Sequence, residues 1–185
     1  MVSNNKPKLK QMWIIRGSIG EKGLQENAFL NEGVVAIGWN RYGDLSRFKG
    51  NKLALKEYMR AINPEYDERT IGQDAGTISR FIDSVGIGDF VVLPQHEEPF
   101  VHLGRITSEY MFLTDGIDYE GNLDEGTTLK NIRKVKWIKK IPRDRIEPSL
   151  YKYLNVKHTL YSVNEDLNRH IQKLSHAEIK QLIEN

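Results

Sequence analysis

Three residues with complementary binding chemistry follow a short apolar run early in this 185-residue sequence. Trp39, Asn40 and Arg41 come directly after residues 34–37 and Gly38, and the apolar run predicts a β-strand. An indole stacks on the face of a nucleobase, while an amide and a guanidinium bond its edge or nearby phosphates. The pattern therefore favours a base-binding site at the strand exit. The alternative is a tryptophan that only caps the end of a sheet.

Basic residues are concentrated in one later segment, residues 130–145. It contains Lys130, Arg133, Lys134, Lys136, Lys139, Lys140, Arg143 and Arg145, opposed only by Asp144. The whole chain has a formal charge of only +2, so this local concentration is what would steer the protein toward phosphates. The alternative is a solvated strand face. From this segment we assign Lys134 and Lys136 to phosphate binding, together with Arg41 and Arg47 from the earlier region.

The usual motifs of an enzyme are missing from the sequence. There is no Walker loop, no glycine fingerprint for dinucleotides and no His-Glu-x-x-His helix. The absence of cysteine excludes a Cys–His nucleophile and a thiolate zinc site. The five histidines show no metal-ligand spacing. We therefore expect no catalytic residues, metal or cofactor.

The segment 115–126 is rich in acidic residues and glycine, and it predicts an exposed loop. It lacks the ligand spacing of an EF-hand. The enzymatic alternative is a nuclease or nucleotide-processing domain that uses these carboxylates with a divalent metal.

Hydrophobic spacing indicates which elements hold these residues. Strands are predicted at residues 12–16, 34–37, 90–93 and 101–106, with a last long strand around 135–138, and residues 110–113 continue or follow the fourth. Helices are predicted near 24–29, 53–62 and 71–85, and mainly helical structure after Pro148, ending with 167–183. Trp13 and Trp137 lie inside apolar strands and are expected in the core. Because strands follow one another after the helices, the order predicts an α+β fold with a curved mixed sheet or open barrel.

The length fits one domain, residues 1–185, with a core at about 10–150 and a C-terminal helical extension at about 148–185. No apolar run is long enough to cross a membrane, and the N-terminus has no apolar signal core. Together with the lack of cysteine, these features predict a cytoplasmic protein.

Six short motifs occur in order along roughly residues 10–150. They are Met-Trp-Ile-Ile-Arg-Gly at 12–17, Val-Ala-Ile-Gly-Trp at 35–39, Gly-Asp-Leu at 43–45, Gly-Asp-Phe-Val-Val-Leu at 88–93, Leu-Gly-Arg-Ile at 103–106 with Tyr110 following, and Arg-Lys-Val-Lys-Trp-Ile at 133–138. This succession resembles the EVE/YTH branch of the PUA-like superfamily. More narrowly, it resembles the N-terminal target-recognition domains of modification-dependent restriction proteins, including McrB-type GTPases.

The resemblance implies a curved mixed sheet, nearly a barrel, flanked by helices, and a cage of aromatic residues around N6-methyladenine. Trp39 matches the cage tryptophan, and Asn40 takes the adjacent position facing the base. Arg16 and Ser18 match a basic and polar pair that contacts the backbone and the base. Either Tyr110 or Tyr119 is expected to form the second wall of the cage.

The expected partner is double-stranded methylated DNA, and the resemblance implies a fused or associated GTPase or nuclease module. The chain itself is then the target-reading portion and not an enzyme. An RNA-binding PUA-like module and a reader of 5-methylcytosine are the nearest alternatives. A protein-interaction module with a cationic face is a further one.

Overall fold

A computed structural model describes residues 10–17, 24–95, 99–119, 128–146, 148–154 and 158–163. The elements in these segments are β1 (Met12–Ile15), α1 (Leu24–Glu32), β2 (Val34–Ile37), α2 (Lys52–Ile62), α3 (Glu68–Ser79), β3 (Phe90–Pro94), β4 (Phe100–Ile106), β5 (Met111–Ile117), β6 (Leu129–Pro142), α4 (Pro148–Leu154) and β7 (Leu160–Ser162). Short 3₁₀ turns at Asn40–Tyr42 and Leu45–Phe48 connect β2 to α2, and a π-helical turn at Arg80–Ser84 ends α3.

The strands form one mixed sheet in the order β2-β6-β4-β3-β1-β7, and β5 also pairs with β6. The pair β1–β3 is parallel, and the other pairs are antiparallel. The long strand β6 joins the two halves because its first half pairs with β2 and β5 and its second half with β4. The sheet curls into a half-barrel flanked by helices, which confirms the predicted α+β class with a curved mixed sheet.

A bulge in β6 and a glycine in β4 accompany the curl. Gly104 lies opposite Trp137 and Leu103 opposite Lys139, so Ile138 is the extra residue on β6. A Cβ at Gly104 would lie 2.7 Å from the Trp137 ring and 2.5 Å from Val135. The missing side chain therefore lets Trp137 lie directly on the neighbouring strand. The Trp137 indole donates a 2.9 Å hydrogen bond to the carbonyl of Phe29 in α1.

Apolar cores lie on both faces of the sheet, which explains why several strands read as unbroken apolar runs. Along β1, Trp13 and Ile15 join the main core, whereas Met12 and Ile14 join a second core with Leu154 of α4. The expected burial of Trp13 is confirmed. Its indole donates to the carboxylate of Asp89, at 2.9 Å.

Two expectations about the later part of the chain are wrong in part. Residues 148–154 are helical as predicted, but Leu160–Ser162 forms β7, which pairs antiparallel with β1. A strand there satisfies the hydrogen-bonding edge of β1 that a helix would leave exposed. The helix expected at 167–183 lies outside the described residues. Residues 115–117 of the expected acidic loop belong to β5, and residues 120–127 of that loop lie outside the described residues.

Candidate nucleic-acid interface

Trp39 has an unusual backbone conformation at the exit of β2. Its φ of 61° and ψ of 31° are left-handed, and among the described residues no other non-glycine residue has a positive φ. This conformation costs an L-amino acid about 1–2 kcal/mol, and a bulky residue rarely adopts it. Strain of this kind persists where the surrounding structure holds it, and it is concentrated at functional sites.

The indole of Trp39 is fixed by a side chain from α3. Its Nε1–H donates to Oδ2 of Asp74 at 2.9 Å. The ring is half-buried and packs against the main core. Trp39 is therefore anchored at the exit of β2 by both a hydrogen bond and apolar packing.

Asn131 of β6 is the centre of a polar network below this strand exit. The side chain is fully buried, and its amide donates to the carbonyl of Gly38 at 3.1 Å and to Oδ1 of Asn40 at 3.2 Å. Its own oxygen accepts a 2.7 Å hydrogen bond from the hydroxyl of Tyr110. The network joins Asn40 and Tyr110, both assigned to base binding from the sequence, through one buried amide.

Asn40 is held on a second side by the start of β6. Its Nδ2 donates to the carbonyl of Thr128 at 2.7 Å. With the bond to Asn131, this fixes both the position and the orientation of the amide. Asn40 is half-buried next to Trp39, so the residue beside the indole has a defined geometry.

Tyr110 is engaged mainly with the protein itself. Its hydroxyl accepts from the backbone N–H of Leu45 at 3.0 Å, and its ring meets the Phe81 ring edge-on at 6.3 Å. Burial raises the pKa of the Tyr110 phenol well above its ordinary value. The hydroxyl therefore stays protonated and donates to Asn131. These contacts suit a residue that supports the site more than one that forms a cage wall.

Tyr119 lies on another side of the same region. Its hydroxyl accepts a 3.0 Å hydrogen bond from Gln25 of α1. The exit of β1 is adjacent, because a Cβ on Gly17 would lie 3.3 Å from the Cβ of Gln25. The pair Ile117–Leu129 brings the end of β5 to the start of β6, close to the Thr128 carbonyl that holds Asn40. Ser18 lies outside the described residues.

Two arginines project from the turns that follow Trp39. The guanidinium of Arg41 donates to Asn63 at 3.0 Å and to the hydroxyl of Tyr66 at 3.1 Å. That of Arg47 lies 4.4 Å from the centre of the Tyr58 ring and 4.8 Å from that of Phe48. Both arginines are exposed, and aromatic contacts orient such groups without neutralising them.

The remaining cations assigned from the sequence lie elsewhere. A guanidinium nitrogen of Arg16 donates to the carbonyl of Leu154, so this side chain ties β1 to α4. Lys134 is exposed and lies opposite Val34, at the end of β2 remote from Trp39. At about 3.3 Å per residue, β2 spans roughly 10 Å between Val34 and Ile37, and Trp39 lies two residues beyond Ile37. Lys136 is also exposed, and it pairs with β4. The structure does not bring these two lysines to Trp39.

A family model described as "Domain of unknown function (DUF8426)" matches residues 13–164. The chain belongs to this family. The match begins at the second residue of β1 and ends just beyond β7, so it covers every described strand of the DUF8426 domain apart from Met12. No curated protein matches the sequence.

Arg133 of the DUF8426 domain is not part of a solvated cationic face, and its expected place there is wrong. The side chain is fully buried and donates to the carbonyls of Phe81 and Ile82, at 2.9 and 3.2 Å, and of Ser108 at 3.1 Å. Burial lowers the pKa of its guanidinium. Arg133 therefore satisfies backbone carbonyls of the π-helical turn.

Sequence reasoning missed Asp74 and Asn131, the two residues that fix the site of the DUF8426 domain. Asn131 had a usable signal, because an amide between Leu129 and Ile132 on a buried strand needs internal partners. Asp74 had no such signal in the sequence, since its partner lies on a distant element.

In the described segments no helix has the length and apolar character to cross a membrane. No cluster of three or more potential metal ligands occurs in those segments.

Proposed function

We propose that this DUF8426 domain reads a modified base, N6-methyladenine, in double-stranded DNA. The base is flipped out of the duplex and stacks on Trp39, and the domain serves as the recognition part of a modification-dependent restriction system. The domain itself is not the enzyme. The observation that carries the proposal is the half-buried indole of Trp39 at the exit of β2, which sits on a left-handed backbone and is held by Asp74.

The arrangement around Trp39 supports this proposal. Asn40 is adjacent and has a fixed amide. Tyr119, whose hydroxyl accepts a hydrogen bond from Gln25, is the second wall in this proposal. The curled mixed sheet agrees with the fold expected from the EVE/YTH resemblance. Because the indole is already fixed in the free protein, binding a base costs little side-chain ordering.

The energetics require more than contact with a methyl group. Extruding a base costs a few kcal/mol, and stacking on an aromatic side chain returns about 1–3 kcal/mol. Burying one methyl adds only about 0.8 kcal/mol, roughly four-fold in affinity. N6-methylation also weakens the base pair, so a methylated adenine is easier to flip. Discrimination therefore combines the Trp39 surface with the lower cost of extrusion.

Affinity that does not depend on the base comes from cations near Trp39. Arg41 and Arg47 are exposed and oriented by aromatic rings. Contacts of this kind with phosphates position a duplex without reading its sequence. They also make binding dependent on salt, because each contact releases condensed counterions.

The test is a fluorescence-polarisation titration against duplexes that differ at one base. Adenine, N6-methyladenine, cytosine and 5-methylcytosine are compared, with a matched RNA duplex as a further arm. We expect the tightest binding to the N6-methyladenine duplex. Tightest binding to the 5-methylcytosine duplex would mean that the domain reads 5-methylcytosine instead. Tightest binding to the RNA duplex would mean that its ligand is RNA and not DNA. Equal affinity for all five duplexes would contradict the proposed function.

A further inference from the structure

Three exposed cations lie on the same face of two neighbouring strands of the sheet. Arg105 of β4 lies directly opposite Lys136 of β6. Lys134 is two residues away along β6, and alternation along a strand places it on the same face as Lys136. All three side chains are exposed. We call Arg105, Lys134 and Lys136 the cationic patch.

Like charges in this position oppose folding. Two cations directly opposite each other on adjacent strands repel and destabilise the pairing of the strands. In the described segments the ion pairs are Lys49–Glu109, Arg60–Glu68 and Arg133–Glu109, and none includes a residue of the cationic patch. The Arg105 guanidinium instead lies 4.7 Å from the centre of the Phe90 ring. An anionic partner would offset the repulsion between these cations.

We infer that the cationic patch binds the phosphate backbone of duplex DNA at a second place, separate from Trp39. The inference rests on the proposed function and adds Arg105, which lies outside the basic segment of the sequence. The strand β2 alone separates Lys134 from the strand exit that carries Trp39 by roughly 10 Å, or about three base pairs at 3.4 Å per base pair. The patch therefore contacts phosphates that flank the flipped base and carries no base preference.

The test compares two double variants that change the net charge equally. Lys134→Glu/Lys136→Glu reverses the patch, and Arg69→Glu/Lys152→Glu changes exposed cations of α3 and α4. A glutamate in place of Lys136 would oppose Arg105 as a favourable cross-strand pair, so the patch variant is expected to keep its melting temperature. Affinity for an unmodified duplex of about 20 base pairs is measured over a range of salt concentrations.

The patch variant is expected to bind several-fold more weakly, with the slope of log K against log salt reduced by about 1.8, or 0.9 per lost phosphate contact. The control variant should keep the slope of the unaltered protein. An unchanged slope in the patch variant, or an equal loss in the control, overturns the inference. A different outcome would contradict the proposed function alone. In that outcome the unaltered protein binds plain and methylated duplexes equally, while the patch variant still shows the reduced salt dependence. Absence of DNA binding by the unaltered protein overturns both.

Discussion

The indole N–H of Trp39 donates a 2.9 Å hydrogen bond to Asp74, and this contact joins the exit of β2 to α3. The bond holds an aromatic ring whose backbone is left-handed. A strand exit and a helix, which are distant in sequence, therefore define the orientation of one side chain.

Replacing Trp39 by glycine separates the role of the ring from the strain of the backbone. Glycine adopts a positive φ without the penalty of about 1–2 kcal/mol that a side chain incurs. We expect Trp39→Gly to lose the preference for N6-methyladenine and to be at least as stable as Trp39→Ala, in which the backbone strain remains. Polarisation titrations and thermal melts of the two variants measure these effects. Preserved discrimination in either variant is incompatible with a reading role for Trp39.

Asp74 is expected to position Trp39. Asp74→Ala removes the hydrogen-bond acceptor and frees the indole, which should reduce affinity for the methylated duplex by about five-fold, the equivalent of roughly 1 kcal/mol for one hydrogen bond. Asp74→Asn keeps an acceptor oxygen, so its affinity for the methylated duplex should be close to that of the unaltered protein. The measurement is the affinity ratio of methylated to plain duplex. An equal effect of both substitutions would point to the charge of Asp74 instead of its geometry.

Loss of the Asn131 amide should destabilise the fold. Asn131→Leu leaves the Gly38 carbonyl, the Asn40 amide and the Tyr110 hydroxyl without this partner. An unsatisfied buried group costs about 1–3 kcal/mol. Because Gly38 is exposed and Asn40 and Tyr110 are only partly buried, we expect the free energy of unfolding in urea to fall by about 1–3 kcal/mol in total. Asn27→Ala, at an exposed position of α1, is the matched control and should change stability by less than about 0.5 kcal/mol. Equal stability of the two variants would contradict the central place of Asn131.

Stability should decrease at alkaline pH because the pKa of Tyr110 is raised by burial. Tyr42 and Tyr161 are shifted in the same direction, also chiefly by burial, which raises the pKa of each phenol. A raised folded pKa contributes stability that is fully present below the unfolded tyrosine pKa of about 10. It is lost as pH rises through the higher folded value. Urea unfolding between pH 8 and pH 11 should therefore show a falling free energy above about pH 10, with a shallower fall in Tyr110→Phe.

The close approach of β4 and β6 predicts a difference between two glycines. Gly104→Ala would place a Cβ 2.5 Å from Val135, so we expect a loss of about 1–3 kcal/mol from overpacking. Gly38→Ala meets nothing within 4 Å and should be nearly neutral. Thermal melts of the two variants make the comparison. Equal melting temperatures would show that β6 moves away from β4 at little cost.

The sequence contained enough information for most of the sheet. Unbroken apolar runs predicted β1, β2 and β3, because strands buried on both faces cannot alternate. The strand β7 was missed since three residues are too few to establish a period, and pairing with β1 decides their conformation. Arg133 was misassigned because a basic residue in a strand is expected to face solvent. The sequence does not show the backbone carbonyls that it bonds in the core. Trp39 and Asn40 were visible as a local pattern, whereas Asp74 is defined only by tertiary contact.

The position of β1 between β3 and β7 has a consequence for how the protein is made. Both neighbours of this early strand come much later in the chain. Pairings between distant segments close long loops and slow folding. During synthesis, β1 therefore cannot pair with β7 until residues 160–162 have left the ribosome. Apolar Met12–Ile15 would be exposed in the meantime, and exposed apolar surface of this kind promotes aggregation of a nascent chain.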